Sequence, residues 1–127
     1  MRGAYTAGMA VINLRDKFEL FSDHFAPRIV GELNGQQVKL VKLQGGFVMH
    51  SHAHEDELFM VMQGELLMHY EDRPDDVVRP GEFLIVPRGL RHCPEAASEC
   101  WVMLFEPAST VNTGGEGGER TRSAEWL

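Results

Sequence analysis

The segment VMHSHAHEDELFMVMQG, residues 48–64, carries the side chains on which the interpretation of this chain depends. His50, His52 and His54 occupy every second position in it. Residues two apart in a β-strand face the same side, so His50 and His52 project together, and His54 joins them if the strand continues that far. Two imidazoles at this spacing are typical of half of a metal site built on β-structure.

A carboxylate follows these histidines at a distance that a short loop can span. Glu57 stands at the head of the next apolar run, where it shares one strand face with Phe59 and Val61. This pattern directs the carboxylate inward together with the core side chains. Glu55 and Asp56, which come just before it, are more typical of a solvated loop.

A second segment, GEFLIVPRGLRH at residues 81–92, ends in a further histidine. Gly81 permits a turn, and Pro87 with Gly89 shapes a second bend before His92. Antiparallel pairing of distant strands would bring His92 beside the first histidine pair. The spacing alone leaves this open, and the alternative is a barrel mouth that is lined by polar residues and holds no metal.

The chain begins with a predicted amphipathic helix. Apolar side chains recur on one helix face at spacings of four, three and four residues: Leu14, Phe18, Phe21 and Phe25. Asn13 is the predicted N-cap of this helix, and Pro27 is the predicted stop.

About eight short strands are predicted after the helix, separated by turn sequences such as NG, DRPDD and RPGE. One of these strands is FVMHSH, residues 47–52. Short strands without intervening helices favour a sandwich or a closed barrel. The predicted organisation is a helical lead-in at 1–30, a barrel at 31–107 and a Gly-rich C-terminal extension at 108–127.

The two polar segments together resemble the paired motifs of the cupin family. The first cupin motif has a His-x-His pair, three or four residues, a Glu, six residues and a Gly. The residues matching it are His50, His52, Glu57 and Gly64. The second motif has a Gly, five residues, Pro-x-Gly, two residues and a His. The residues matching it are Gly81, Pro87, Gly89 and His92.

The register of the first motif has one alternative. Taking His52 and His54 as the pair would put Gly46 where the family has a glycine, but leaves only two residues before Glu57. The pair His50 and His52 keeps the interval within the family range, so we prefer it and retain His54 as the alternative. Elsewhere the chain departs from the family pattern at loop positions and not at ligands.

The resemblance implies an all-β fold, the cupin double-stranded β-helix or jelly-roll barrel, with a short N-terminal helix. It also implies a metal site, and the ligands carried over are His50, His52, Glu57 and His92. The expected cofactor is a divalent transition metal: Mn, Fe, Ni, Co or Zn. A small-molecule ligand inside the barrel and a homodimer are further expectations from the family.

The strings DELFMVMQGE and FEPASTVNTG are similar to a bacterial subgroup of cupins labelled mannose-6-phosphate isomerase-like on fold similarity alone. The resemblance favours a small metal-dependent dioxygenase or isomerase, and the alternative is a non-catalytic module that binds or senses a small ligand. Arg88 and Arg91 are the only candidates for a phosphate clamp, so a sugar-phosphate isomerase ranks low. No catalytic residue is assigned.

Composition restricts the partners that we expect. The chain has 127 residues, a net charge of −7 and scattered basic residues, so nucleic acid is not an expected partner. No apolar run approaches the roughly 20 residues needed to cross a bilayer, so no membrane association is expected. Two cysteines and an N-terminus without a continuous apolar segment favour the cytoplasm.

Overall fold

The computed structural model describes residues 10–127, which form one short helix and eight strands. Helix α1 spans Leu14–Phe18, and the strands are β1 Arg28–Leu33, β2 Gln36–Gly45, β3 Glu57–Gln63, β4 Leu66–Tyr70, β5 Asp76–Val78, β6 Phe83–Val86, β7 His92–Pro107 and β8 Glu125–Trp126. The predicted all-β fold with a short N-terminal helix is therefore confirmed. No helix in the described range is long and apolar enough to cross a bilayer.

Strand β7 connects the whole sheet, because it pairs with three other strands. Its first part is antiparallel to β4, and its later part lies between β2 and β3. Beyond these neighbours, β4 pairs with β5, β3 with β6, and β2 with β1, which in turn pairs with β8. Over residues 10–127 the hydrogen-bonded path remains open and does not close on itself.

Two apolar clusters lie on opposite faces of β2, because neighbouring residues of a strand point to opposite sides. Val41 faces the barrel interior, where it belongs to one cluster with Phe59. Leu40 faces outward and is covered by α1, in a second cluster with Phe18 and Trp101. The Phe18 and Trp101 rings stack with their centroids 4.8 Å apart.

The helix is shorter than the sequence pattern predicts. Asn13 is its N-cap as predicted, and its side chain accepts a hydrogen bond of 2.9 Å from the N–H of Asp16. The helix ends at Phe18, however, and Phe25 has a φ of 58° while its N–H donates to the carbonyl of Lys42. Phe18 packs in the outer cluster and Phe25 in the interior cluster. One continuous helix face cannot reach both sides of a sheet, so the prediction of a helix extending to Phe25 was wrong.

The segment at residues 47–52 is not a continuous strand, contrary to the prediction. His50 forms an isolated β-bridge with His92 through backbone hydrogen bonds of 2.9 and 2.8 Å. The chain then turns, and the carbonyl of His52 accepts a hydrogen bond of 2.8 Å from the N–H of Gly89. The segment that ends in His92 therefore holds both histidines in place.

Residues 108–127 fold back onto the barrel. Strand β8 runs parallel to β1, and the N–H of Leu127 donates to the carbonyl of Ile29 at 3.0 Å. Gly114, with a φ of +58°, lies so close to the histidine loop that a Cβ atom there would collide with the carbonyl oxygen of Ser51. The same Cβ atom would lie 3.3 Å from the ring of His50, so the Gly-rich segment covers the loop that carries the first histidine pair.

Candidate metal centre

The structure brings the predicted metal-ligand group together in the barrel interior. His50 comes from the β-bridge and His52 from the loop after it, while Glu57 and His92 are the first residues of β3 and β7. Their ligand atoms all lie within 4.8 Å of one another, and all four side chains are buried. His54 is exposed and lies outside this group, so the geometry favours His50 over His54.

The contacts within the group are close but lack the geometry of hydrogen bonds. The Nε2 atoms of His52 and His92 lie 2.9 and 3.1 Å from Oε1 of Glu57, respectively. All three atoms are buried and have no hydrogen-bond partner of acceptable geometry. Two adjacent ligands about 2.1 Å from one octahedral ion are separated by about 3 Å. The observed spacing is thus that of atoms arranged around a common ion.

Backbone carbonyls orient two of the imidazoles. Nδ1 of His50 lies 2.9 Å from the carbonyl oxygen of Val48, and Nδ1 of His92 lies 2.9 Å from that of Leu90. A carbonyl can only accept, so each Nδ1 carries the proton and each Nε2 presents a lone pair to the centre. This is the arrangement that fixes the tautomer of metal-binding histidines.

The surroundings of His50 keep its ring neutral. Burial, followed by the nearby His92, lowers the pKa of His50 from 6.5 to about 4. A neutral imidazole has a free lone pair, so His50 is ready to bind a metal at neutral pH.

Glu57 is linked to a second buried carboxyl group and to a lysine. Burial acts against ionisation of Glu57, but its contacts with the two imidazoles and with Glu106 outweigh burial and hold its pKa below the ordinary value. Burial, and then the negative charge of Glu57, raise the pKa of Glu106 well above its ordinary value. Lys39 opposes this rise, since its Nζ donates a hydrogen bond of 2.7 Å to Oε2 of Glu106.

These donors fit a divalent first-row transition metal. Three neutral imidazoles and one carboxylate provide mixed nitrogen and oxygen ligands with a total charge of −1, so a divalent ion keeps net positive charge. An octahedral ion held by four protein ligands has two further positions for small molecules. Mn, Fe, Co and Ni suit such a shell, whereas Zn more often takes four ligands in all.

A cavity of about 50 Å³ adjoins the ligand group. Its walls are mainly apolar and include Phe25, Phe47 and Phe59. The polar side chains of β-strands that reach it include Lys39 and Glu106. The C-terminal segment completes the wall with residues that include Thr110, Asn112, Arg122 and Ala124.

Comparison with known proteins identifies the family. Residues 38–105, more than half of the chain, match the cupin domain family. The chain belongs to the cupin family. The matched range contains the whole metal-ligand group, which places His50, His52, Glu57 and His92 inside the cupin domain.

A solved cupin structure confirms the predicted fold. A cupin-2 domain containing protein from Shewanella frigidimarina is 45% identical, with a TM-score of 0.74 over 76% of this chain and 94% of that chain. A protein from Neisseria meningitidis is 28% identical, with a TM-score of 0.72 over 77% of this chain and 99% of that chain. The uncharacterised protein YdbB of Bacillus subtilis is 35% identical over 63 residues, which is 50% of this chain and 56% of that relative.

Motif spacing did not reveal that Lys39 and Glu106 pair with each other in the wall of the cavity. Both side chains are 3% exposed, although charged side chains are rarely buried unless they are paired. The available signal was a charged residue inside an apolar strand, as in VKLV at residues 38–41 and LFEP at residues 104–107. That signal marks each residue separately and does not show that the two meet.

The two arginines considered for a phosphate clamp form ion pairs away from the cavity. Arg88 pairs with Asp56 at 3.2 Å, and Arg91 pairs with Glu71 at 2.9 Å and with Glu116 at 3.4 Å. Neither arginine lines the cavity beside the metal-ligand group.

Proposed function

We propose that this cupin binds a divalent transition metal through His50, His52, Glu57 and His92 and acts with it on a small molecule in the adjoining cavity. The observation that carries the proposal is the convergence of buried Nε2 and Oε1 atoms that lack hydrogen-bond partners. Leaving such atoms unpaired in the interior costs about 1–3 kcal/mol each, and a metal ion would satisfy them together.

The chain's own residues would hold, orient and enclose the reactants. The carbonyls that accept from Nδ1 of His50 and His92 keep the two rings in place. The apolar walls, including Phe25 and Phe59, exclude water and so strengthen electrostatic interactions inside the cavity. A bound divalent ion would supply Lewis-acid polarisation of a substrate oxygen, and redox chemistry if it is iron or manganese.

Size limits the substrates that fit this proposal. A cavity of about 150 Å³ is enough for benzene, so the cavity of about 50 Å³ admits only a molecule of a few non-hydrogen atoms. A sugar phosphate is far larger, and the arginines considered for its phosphate are engaged elsewhere. A dioxygenase or an isomerase of a compact substrate therefore agrees best with the structure. The alternative is a module that holds the metal and a small ligand without turnover.

Metal analysis tests the proposed site. Protein purified without a histidine tag should contain close to one transition-metal ion per chain by elemental analysis. We expect His92→Gln to lower the metal affinity at least about 100-fold. Loss of a residue that only hydrogen-bonds to a ligand already lowers metal affinity about 10–100-fold, and loss of the ligand itself should cost more. His69→Gln is the matched control, since His69 pairs with Asp75 and Glu95 away from the site. Unchanged metal content in variants of all four ligands would refute the site.

Oxygen uptake separates the reactions. Fe(II)-loaded protein should consume oxygen with a diketone, a thiol or a catechol if it is a dioxygenase. No uptake with the whole panel would exclude that activity for these substrates. Thermal stabilisation by a compound that is recovered unchanged would instead favour the binding module.

We also propose that two copies of this cupin associate through the outer face of the sheet. Leu58 and Met60 of β3 pair with Ile85 and Phe83 of β6, and all four side chains point outward. Phe83 and Ile85 are 58% and 57% exposed, a large fraction for such apolar side chains. A second copy related by a two-fold axis would cover this face, since such an axis brings the same surface of each subunit together.

We also propose a cytoplasmic location for this protein. This location agrees with its two free cysteines, Cys93 and Cys100, because thiols stay reduced in the cytoplasm.

A further inference from the structure

We infer that Lys39 anchors a compact organic monoanion, such as a small carboxylate, beside the proposed metal ion. The inference rests on the proposed function and extends it to the substrate class. It is argued from the position of Lys39, from the charges inside the cavity and from the cavity's size.

Lys39 belongs to a row of buried charged side chains across three strands. Leu58 of β3 and Val38 of β2 both pair with Phe105 of β7, and both strands are antiparallel to β7. One position further along this register, Glu57 of β3 lies opposite Glu106 of β7, and both side chains point to the interior. Lys39 is diagonal to Glu106 across the β2–β7 pair, where a long side chain reaches its partner. The row therefore extends from the metal-ligand group to the ammonium group of Lys39.

Both ends of the Lys39–Glu106 pair retain hydrogen-bonding capacity. The ammonium has three donors, and the hydrogen bond that the structure shows is the one from Nζ to Oε2 of Glu106. The other carboxylate oxygen, Oε1 of Glu106, is buried and has no hydrogen-bond partner. Lys39 and Glu106 line the same cavity as His50 and Glu57, so a bound molecule can meet the lysine and the proposed ion together.

The sign of the enclosed charge favours an anion. A divalent ion would bring two positive charges, Lys39 adds one, and Glu57 and Glu106 remove one each, so the buried groups keep one positive charge. Arg122, an exposed residue of the cavity wall, adds a further positive charge. Protonation of Glu106 would increase this excess, so its sign does not depend on the state of that residue. An unpaired charge in the interior is costly, and a monoanion would balance it.

The cavity's size makes that anion compact. The cavity of about 50 Å³ is about a third of the roughly 150 Å³ that admits benzene, so it takes an anion of a few non-hydrogen atoms. Acetate has this size, and acetamide has the same shape without the charge. Benzoate is too large for the cavity as it stands.

Co(II)-loaded protein provides the test, because its visible spectrum reports both metal binding and a change in the ligands of the metal. We expect acetate to bind at least about tenfold more tightly than acetamide, since hydrogen bonds to charged groups contribute about 1.5–3 kcal/mol. Benzoate should leave the spectrum unchanged. Lys39→Met should weaken acetate binding at least about tenfold while the cobalt content stays at the wild-type value.

Two further variants make the test specific. Lys42 is also buried on β2 but faces the outer cluster, where its Nζ donates to the carbonyl of Phe21 at 2.6 Å, so Lys42→Met should leave acetate affinity unchanged. Glu106→Gln keeps Lys39 and makes residue 106 neutral at every pH, so acetate should bind to it at least as tightly as to the wild-type protein. This variant keeps the inference testable if Lys39→Met fails to fold.

The outcomes separate the two proposals. Equal affinity for acetate and acetamide, wild-type acetate affinity in Lys39→Met, or weakened affinity in Glu106→Gln would overturn the anion site and leave the metal site standing. A wild-type protein that binds no cobalt, or a cobalt content that is insensitive to His92→Gln, would overturn the metal site and the anion site with it.

Discussion

Each of two histidines in the candidate metal centre is oriented by the backbone carbonyl two residues before it. His50 uses Val48, and His92 uses Leu90, at the same Nδ1–oxygen distance of 2.9 Å. This local contact requires no distant side chain, so each segment presents its Nε2 lone pair as soon as it adopts its native backbone. Burial then keeps His50 neutral, which connects the stability of this cupin to pH.

We expect the metal-free protein to lose stability on mild acidification because of His50. Its pKa is about 4 when folded and about 6.5 when unfolded, so the unfolded chain binds more protons between these values. The free energy of unfolding therefore falls as the pH drops through this window, by about 3 kcal/mol for this group. Urea unfolding in the presence of a chelator, at about pH 7 and about pH 4.5, measures the change.

The variant His50→Gln isolates this effect from the opposing titration of Glu106. It should show a smaller loss of stability between the two pH values than the wild-type protein. The same pH dependence in both proteins would contradict the assignment of the acid sensitivity to His50.

At the scale of elements, the C-terminal segment forms part of the wall of the functional cavity. It contributes Thr110 and Asn112 to the lining, and the hydroxyl of Ser109 donates to Glu55 in the histidine loop at 2.8 Å. Gly114 contacts the same loop where a side chain would meet Ser51. The position of this segment is therefore coupled to the position of the metal-ligand group.

Gly114→Ala should destabilise the protein more than Gly117→Ala does. Both glycines have a positive φ, of +58° and +65°, so both variants bear the cost of a left-handed backbone, about 1–2 kcal/mol. Only at Gly114 would the added Cβ atom collide with Ser51, whereas no atom lies within 4 Å of it at Gly117. We expect a further loss of about 1–3 kcal/mol for Gly114→Ala in urea unfolding, and faster metal release to a chelator. Equal stability of the two variants would show that the C-terminal segment does not contact the histidine loop closely at Gly114.

At the scale of the whole molecule, the sheet has an exposed apolar outer face beside the outer cluster that α1 covers. Met60 of β3 pairs with Met103 of β7, which packs against that cluster, and with Phe83 of β6 on its other side. The apolar surface thus continues from the covered region to an exposed edge. This continuity is what the proposed dimer would use.

Phe83→Lys should convert the proposed dimer into a monomer, because it places a charge in the centre of an apolar contact. Light scattering coupled to size-exclusion chromatography at micromolar concentration measures the change. Leu33→Lys is the matched control, since Leu33 is 50% exposed on β1, which β2 and β7 separate from β3 and β6. A wild-type protein that is already monomeric would contradict the dimer.

The sequence predicted the residues of the candidate site better than it predicted the arrangement of the chain around them. Motif spacing indicated the group of four residues that the structure brings together, and strand alternation indicated that Glu57 faces inward with Phe59. The same reasoning failed for Phe25, because a helical spacing does not show that its members pack on different sides of a sheet. It also failed for residues 47–52, where alternation suggested a strand and the structure has a single bridge.

What the sequence determined by itself was local: the N-cap at Asn13, the inward direction of Glu57 and the histidine spacing follow from the geometry of short segments. Only the tertiary structure decided that His50 meets His92, that Lys39 meets Glu106 67 residues away, and that the C-terminal segment covers the histidine loop. Such contacts arise when all the strands bury their apolar faces together, and no local period in the chain encodes which distant segments then become neighbours.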